Sequence, residues 1–162
     1  MMDKTIQQAI ALRSDGKFEQ SRQLLATLLE QEPLKARAHL HIAWSYDNQG
    51  LESQAVQHYH AALAGELEAT ERFDALFGLA STLRSLGQYQ EAAVWFEKTL
   101  ALFPDCREVK PFYAMCLYNL GKHKQAIELL LNLLVETTND EDILTYQRAI
   151  KLYAQDLDRT WS

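Results

Sequence analysis

Residues 83–104, LRSLGQYQEAAVWFEKTLALFP, carry an apolar stripe up to a lone glycine, restart a second stripe within two residues, and stop at a proline. Residues 12–33, LRSDGKFEQSRQLLATLLEQEP, repeat the same punctuation. A glycine between two helical patterns marks a helix end, because it enters the left-handed conformation without a Cβ clash and lets the chain reverse. Gly16, Gly50, Gly87 and Gly121 stand 34, 37 and 34 residues apart. Two equal intervals around a longer one describe a fixed unit with a single three-residue insertion.

The other slots of the unit follow from packing two antiparallel helices. Five places after each glycine stands a small residue, Ser21, Ala55, Ala92 or Ala126, which allows close approach. Four places further, Leu25, Tyr59, Phe96 and Leu130 lie on the same helix face one turn along. Pro33 and Pro104 stand where the second helix must stop.

Leu79, Ala80, Leu83, Gly87, Tyr89, Ala92, Phe96 and Pro104 together resemble the signature of the tetratricopeptide repeat (TPR). More narrowly, the stretches at 41–59 and 81–97 are similar to a compact bacterial TPR family. The resemblance implies an all-α fold, a right-handed α-solenoid of four helix-turn-helix repeats at about 2–35, 36–69, 73–106 and 107–140. A capping helix at about 141–158 brings the total to nine helices in one domain spanning 1–162. Its apolar stripe is Ile143, Tyr146, Ile150, Tyr153 and Leu157. Three departures carry local expectations. The bulky early slot holds Thr5, His39, Leu76 and Lys110; Thr70 is expected to N-cap the helix after the insertion; and Pro111 requires its helix to begin near Lys110 or bend there. Gly65 is expected to end its helix, and Gly78 falls in mid-helix.

Composition narrows the function classes. A net charge of −6 over 162 residues argues against nucleic-acid backbones and anionic membranes, which both need a surplus of Lys and Arg. The start lacks a signal-peptide core, and the most apolar run, 126–136, contains Glu128 and Asn132 and is too short to span a bilayer. Cys106 and Cys116 read as free thiols in a reducing compartment, so a cytoplasmic location is expected. No catalytic motif is present. His39 and His41, like His58 and His60, are two apart and share no helix face, and 137–142 lacks a calcium loop's glycine and spacing. A chain that is not an enzyme, with no metal and no cofactor, is expected.

What remains is a surface. The resemblance implies that the second, fifth, ninth and twelfth slots of each unit face a concave groove. The fifth and ninth hold Ile6, Ile10, Leu40, Trp44, Phe77, Ser81, Pro111 and Met115; the second and twelfth include Arg13, Arg37, Asp47, Arg84 and Tyr118. An apolar floor flanked by charge fits an unidentified protein or peptide with apolar anchors and a carboxylate, with Trp44, Phe77 and Arg84 at the centre of the site. The Lys/Asn set of chaperone-tail clamps is absent from these slots. An apolar stripe also serves as core, and tight curvature would bury Ile10 or Leu40. The alternative is a homodimer in which the groove or the first repeat, with Ile6 and Ile10 facing outward, is buried between subunits.

Overall fold

The computed structural model describes residues 3–162, and every regular element among them is a helix. In order they are α1 (Lys4–Ser14), α2 (Phe18–Ala26), α3 (Lys35–Asn48), α4 (Glu52–Leu63), α5 (Ala69–Ser85), α6 (Tyr89–Leu102), α7 (Val109–Asn119), α8 (His123–Thr137), α9 (Glu141–Thr145) and α10 (Gln147–Ala154). The chain divides into two compact units, Met1–Thr99 and Leu100–Ser162.

All four periodic glycines are left-handed, with φ between 76° and 78°. Each sits in the same closure. The residue after the glycine sends its N–H back to a carbonyl five positions earlier: Lys17 to Leu12, Leu51 to Tyr46, Gln88 to Leu83, and Lys122 to Leu117, at 2.8–2.9 Å. These bonds satisfy carbonyls that the ending helix leaves open. A Cβ at any of the four would touch nothing within 4 Å, so the requirement lies in the backbone alone.

In the first unit α1 packs on α2, α2 on α3, α3 on α4 and α4 on α5. The small slot is buried in each hairpin. Where it is serine, Ser21 donates its hydroxyl to the Ala9 carbonyl of α1 at 2.7 Å, so the buried polar atom is satisfied. Leu25, Tyr59 and Phe96 are fully buried. Ile6 and Ala9 join Leu25, Leu28, Ala38 and Ile42 in one core cluster, with Ile10 half-buried against it. The outward-facing Ile6 expected from its slot is therefore corrected: α2 and α3 both close over that side of α1.

Several boundaries differ from expectation for local reasons. Helix α2 ends well before Pro33, where Thr27 donates its hydroxyl to the Leu24 carbonyl at 2.7 Å and successive i→i+3 turns follow. Helix α5 begins at Ala69 rather than after Thr70, because Glu68 and Glu71 form a reciprocal capping box across the inserted residues. Gly65 follows α4 as expected but lacks a positive φ; a Cβ there would sit 2.6 Å from that of Ala36, so close packing on α3 selects it. Pro111 falls in the first turn of α7, which needs no N–H from it.

The second unit pairs α7 with α8, and α10 packs on α8. Ala114, Leu117 and Ala126 are its buried cluster, with Tyr113 and Leu129 against them, whereas Leu130 is left 43% exposed. The closing segment is two helices, making ten among the described residues instead of nine. The break at Tyr146 (φ −99°, ψ 9°) changes the helix phase. Ile143 and Ile150 are half-buried and Ala154 is buried, but Tyr146, Tyr153 and Leu157 are exposed. Trp161 folds back toward Tyr153, with the Arg159 guanidinium 4.0 Å above its ring, and an ion pair joins Lys124 to Asp158.

Tyr59 explains the mid-helix glycine. Its hydroxyl donates to Asp47, which also accepts from Thr82 at 3.1 Å, so α3, α4 and α5 meet at one carboxylate. A Cβ on Gly78 would lie 2.7 Å from the Tyr59 ring and hydroxyl, and a ring tethered at its far end cannot retreat. Gly78→Ala, neutral or stabilising on helix propensity alone, is instead expected to destabilise. Overpacking costs about 1–3 kcal/mol against about 1 kcal/mol of propensity gained. Gly87→Val should cost more than about 1 kcal/mol through the left-handed backbone, and Phe96→Ala about 3–5 kcal/mol through the cavity it leaves. Urea unfolding of the three variants checks all of these. A neutral Gly78→Ala would show that the Tyr59 ring moves freely.

Candidate binding cleft

The first helices of two successive hairpins, with the start of a third, enclose a cleft of about 450 Å³. Ile10 and Arg13 reach it from α1, and Arg37, His41 and Trp44, at i, i+4 and i+7, from one face of α3. Glu68, Thr70 and Glu71 close it from the start of α5. The three-residue insertion thus supplies an acidic wall.

The two arginines stand in different electrostatic settings. Arg37 is mostly buried and held by carboxylates: its Nε lies 2.5 Å from Glu71 Oε1, its Nη2 donates to Glu71 Oε2 at 3.3 Å, and Glu68 is 3.6 Å away. The Nε–H does not point at its close carboxylate, so that contact is a charge pair rather than a directed hydrogen bond. Arg13 has no carboxylate oxygen within 4.0 Å among the described residues. It donates to the His41 carbonyl at 3.3 Å, lies 3.4 Å from His41 Nδ1, and rests 5.3 Å over the Trp44 ring. Partial burial lowers its pKa, as desolvation disfavours the cation.

His41 is buried and meets Trp44 edge to face at 4.9 Å. Burial, then Arg13 and Arg37, push its pKa down to about 4, so at neutral pH it is uncharged. Because a guanidinium only donates, Nδ1 is the acceptor and the proton resides on Nε2. The cleft therefore presents one balanced cation, one unbalanced cation lying on an aromatic face, and two carboxylates.

Of the residues expected to face a groove, Arg13, Arg37 and Trp44 come together here. Leu40 does not: it is fully buried, since α3 is packed by neighbours on that side, and it is corrected to a core residue. Asp47 is taken up by Tyr59 and Thr82, and burial raises its pKa. Phe77 lies beside Phe73, ring centroids 5.7 Å apart, and neither Phe77 nor Arg84 lines the cleft. In the second unit Phe112, Met115 and Tyr118 are exposed on α7, and Tyr118 sits 5.0 Å from the His123 ring. His41, Glu68 and Glu71 were missed by the slot pattern. The only signal for the acids was the insertion itself.

Removing a carboxylate and removing the unbalanced cation should differ in the size of their effect on the fold. Glu71→Gln strips Arg37 of its main partner and breaks the capping box, and is expected to cost about 1–3 kcal/mol, less than a fully buried pair because the cleft is open to water. Arg13→Gln should change stability by less than about 1 kcal/mol, since a lost cation–π contact is offset by relief of desolvation. Thermal and urea unfolding compare the two.

The profile of the family described as tetratrico peptide repeat matches residues 36–157. A search of the curated proteins finds no match. Among solved structures, MamA superposes with a TM-score of 0.73 at 17% identity, covering 96% of this chain and 90% of that one. The nearly identical TPR-like repeats of a Podosopora anserina kinesin light chain superpose at 0.68 and 17% identity, covering 94% and 95%. At this identity the likeness is one of fold.

Proposed function

The chain belongs to the tetratricopeptide-repeat family, and we propose that it is a non-enzymatic adaptor whose α1–α3–α5 cleft holds an acidic segment of a partner protein. TPR proteins in general bind other proteins or peptides, and the fold is typically a scaffold. The observation that carries the finer reading is Arg13, a partly desolvated cation with no carboxylate of its own, laid over Trp44. A carboxylate entering the cleft would complete that charge while its neighbouring apolar side chain covers Trp44 and Ile10. Arg37, already matched by Glu71 and Glu68, sets one wall. In the second unit, exposed Phe112, Met115 and Tyr118 on α7 would offer an apolar contact surface of that unit's own.

No helix among the described residues is long and apolar enough to cross a membrane. With the net charge of −6, a protein partner in the cytoplasm is the setting we propose, rather than nucleic acid or lipid. The exposed row Ile127, Leu130 and Leu134 on α8 favours a second reading, self-association through that helix, which light scattering on the purified chain resolves.

Selection of binders from a random peptide library should enrich sequences pairing an acidic residue with an apolar one. Arg13→Gln and Trp44→Ala, with melting unchanged, should each weaken those peptides roughly 10-fold or more, because they remove the charged and aromatic anchors. Added salt should weaken binding to the wild type but not to Arg13→Gln. Wild-type affinity in both folded variants would overturn the cleft.

A further inference from the structure

Outside the cleft, one cluster of titratable groups spans two helices. His39 on α3 and His58 on α4 place their Nδ1 atoms 3.0 Å apart. The ring centroids lie 5.2 Å apart, about two ring radii more than the nitrogens, so the rings meet end to end. The two Nδ1 atoms therefore point at each other, which is hydrogen-bond geometry. Tyr46 stacks on His58 with centroids 5.6 Å apart, and the Arg22 guanidinium lies 4.2 Å over the Tyr46 ring.

Proton counting makes this contact directional. In the neutral pair one Nδ1–H donates to the other ring's Nδ1, and the accepting ring carries its own proton on Nε2. A first added proton goes to the free Nε2 of the donor ring and leaves the bond intact. A second has only the accepting Nδ1 to bind, and there it turns the bond into two opposed N–H groups. The charges acting on the pair are Lys35 of α3 upon His39 and Arg22 of α2 upon His58, both positive. Neither ring has a carboxylate oxygen within 4.0 Å among the described residues, so no ion pair compensates a second charge.

We propose that His39 and His58 form a proton-sharing clasp between α3 and α4 that holds a single excess proton and opens on taking up a second. The clasp couples the α3–α4 hairpin to acidity. His39 and His41 are two positions apart, about 200° around α3, so the clasp needs no occupant in the cleft.

The direction of the pH effect follows from linkage. Burial, then His39 and Arg22, bring His58 down to about 4, and burial, then Lys35, lowers His39, from an ordinary value of 6.5. The unfolded chain therefore binds more protons than the folded one below 6.5, and stability falls as pH drops from there toward about 4.

Nitrogen-15 NMR of the whole chain should show the two rings titrating as a coupled pair, in steps separated by at least about one pH unit. Independent single-step titration of each ring would overturn the clasp. His39→Gln, His58→Gln and the double variant provide a second test. The urea midpoint is measured at about pH 7 and about pH 5. Each single change should remove its own ring's burial contribution together with the shared one, so the two single effects should sum to more than the effect of the double change. Additive single effects, or losses parallel to wild type in all three variants, would equally overturn it. His41→Gln, on the cleft side of α3, is expected to add independently to both.

Discussion

The left-handed glycine at each reversal constrains everything that follows it. With φ near 77° at Gly16, Gly50, Gly87 and Gly121, and the next N–H tied back to the end of the preceding helix, each hairpin leaves its turn at nearly the same angle. Two helices leaving one turn so closely can pack only if a small side chain stands about one and a half turns on, which is why Ser21, Ala55 and Ala92 are fully buried. The large residue one turn further then fills the widening gap. Backbone conformation thus sets the size order of the side chains, and hydrophobic burial supplies the driving force.

Where the repeated unit cannot keep its register, polar chemistry holds the join. The insertion before α5 would leave that helix with unpaired N–H groups and a free angle relative to α3. Glu71 meets both needs, accepting from the Glu68 N–H at 3.2 Å and pairing with Arg37. Asp47 plays the equivalent part at the other end of α3, gathering Tyr59 and Thr82 from two further helices. A half-buried carboxylate with neutral donors is costly if any donor is lost. It also fixes which rotamer of Tyr59 can exist, and Gly78 is the complement to that rotamer on α5.

The fold was legible because its signals are periodic and local. Glycine spacing, the small slot and the turn position of Pro111 each depend on residues within a few positions of one another. What depended on contacts between helices was less visible. Leu40 and Trp44, like Ile6 and Ile10, hold the fifth and ninth slots one turn apart, yet only the assembled helices determine which of each pair is buried. Likewise the closing stripe of Ile143, Tyr146, Ile150, Tyr153 and Leu157 has helical spacing, but spacing assumes an unbroken helix and Tyr146 interrupts it. The histidine pairs illustrate the same limit: His39 and His41 share no face, while His39 and His58, nineteen positions apart, meet nitrogen to nitrogen.

The cleft's charges place it apart from the stabilising polar joins. Arg37 and Asp47 are matched within the chain, so their desolvation is recovered by partners already present. Arg13 loses water without gaining a carboxylate, and a histidine beside it must stay neutral for the arrangement to stand. In a chain with six more acidic than basic charges, an exposed pairing for that arginine would be easy to supply. Its absence is the kind of local deficit that a fold tolerates where an incoming group makes up the difference. Under the proposed reading that group is a carboxylate. Trp44, which gives the guanidinium its aromatic floor, then restrains the arginine, so less side-chain entropy remains to be lost when the partner arrives.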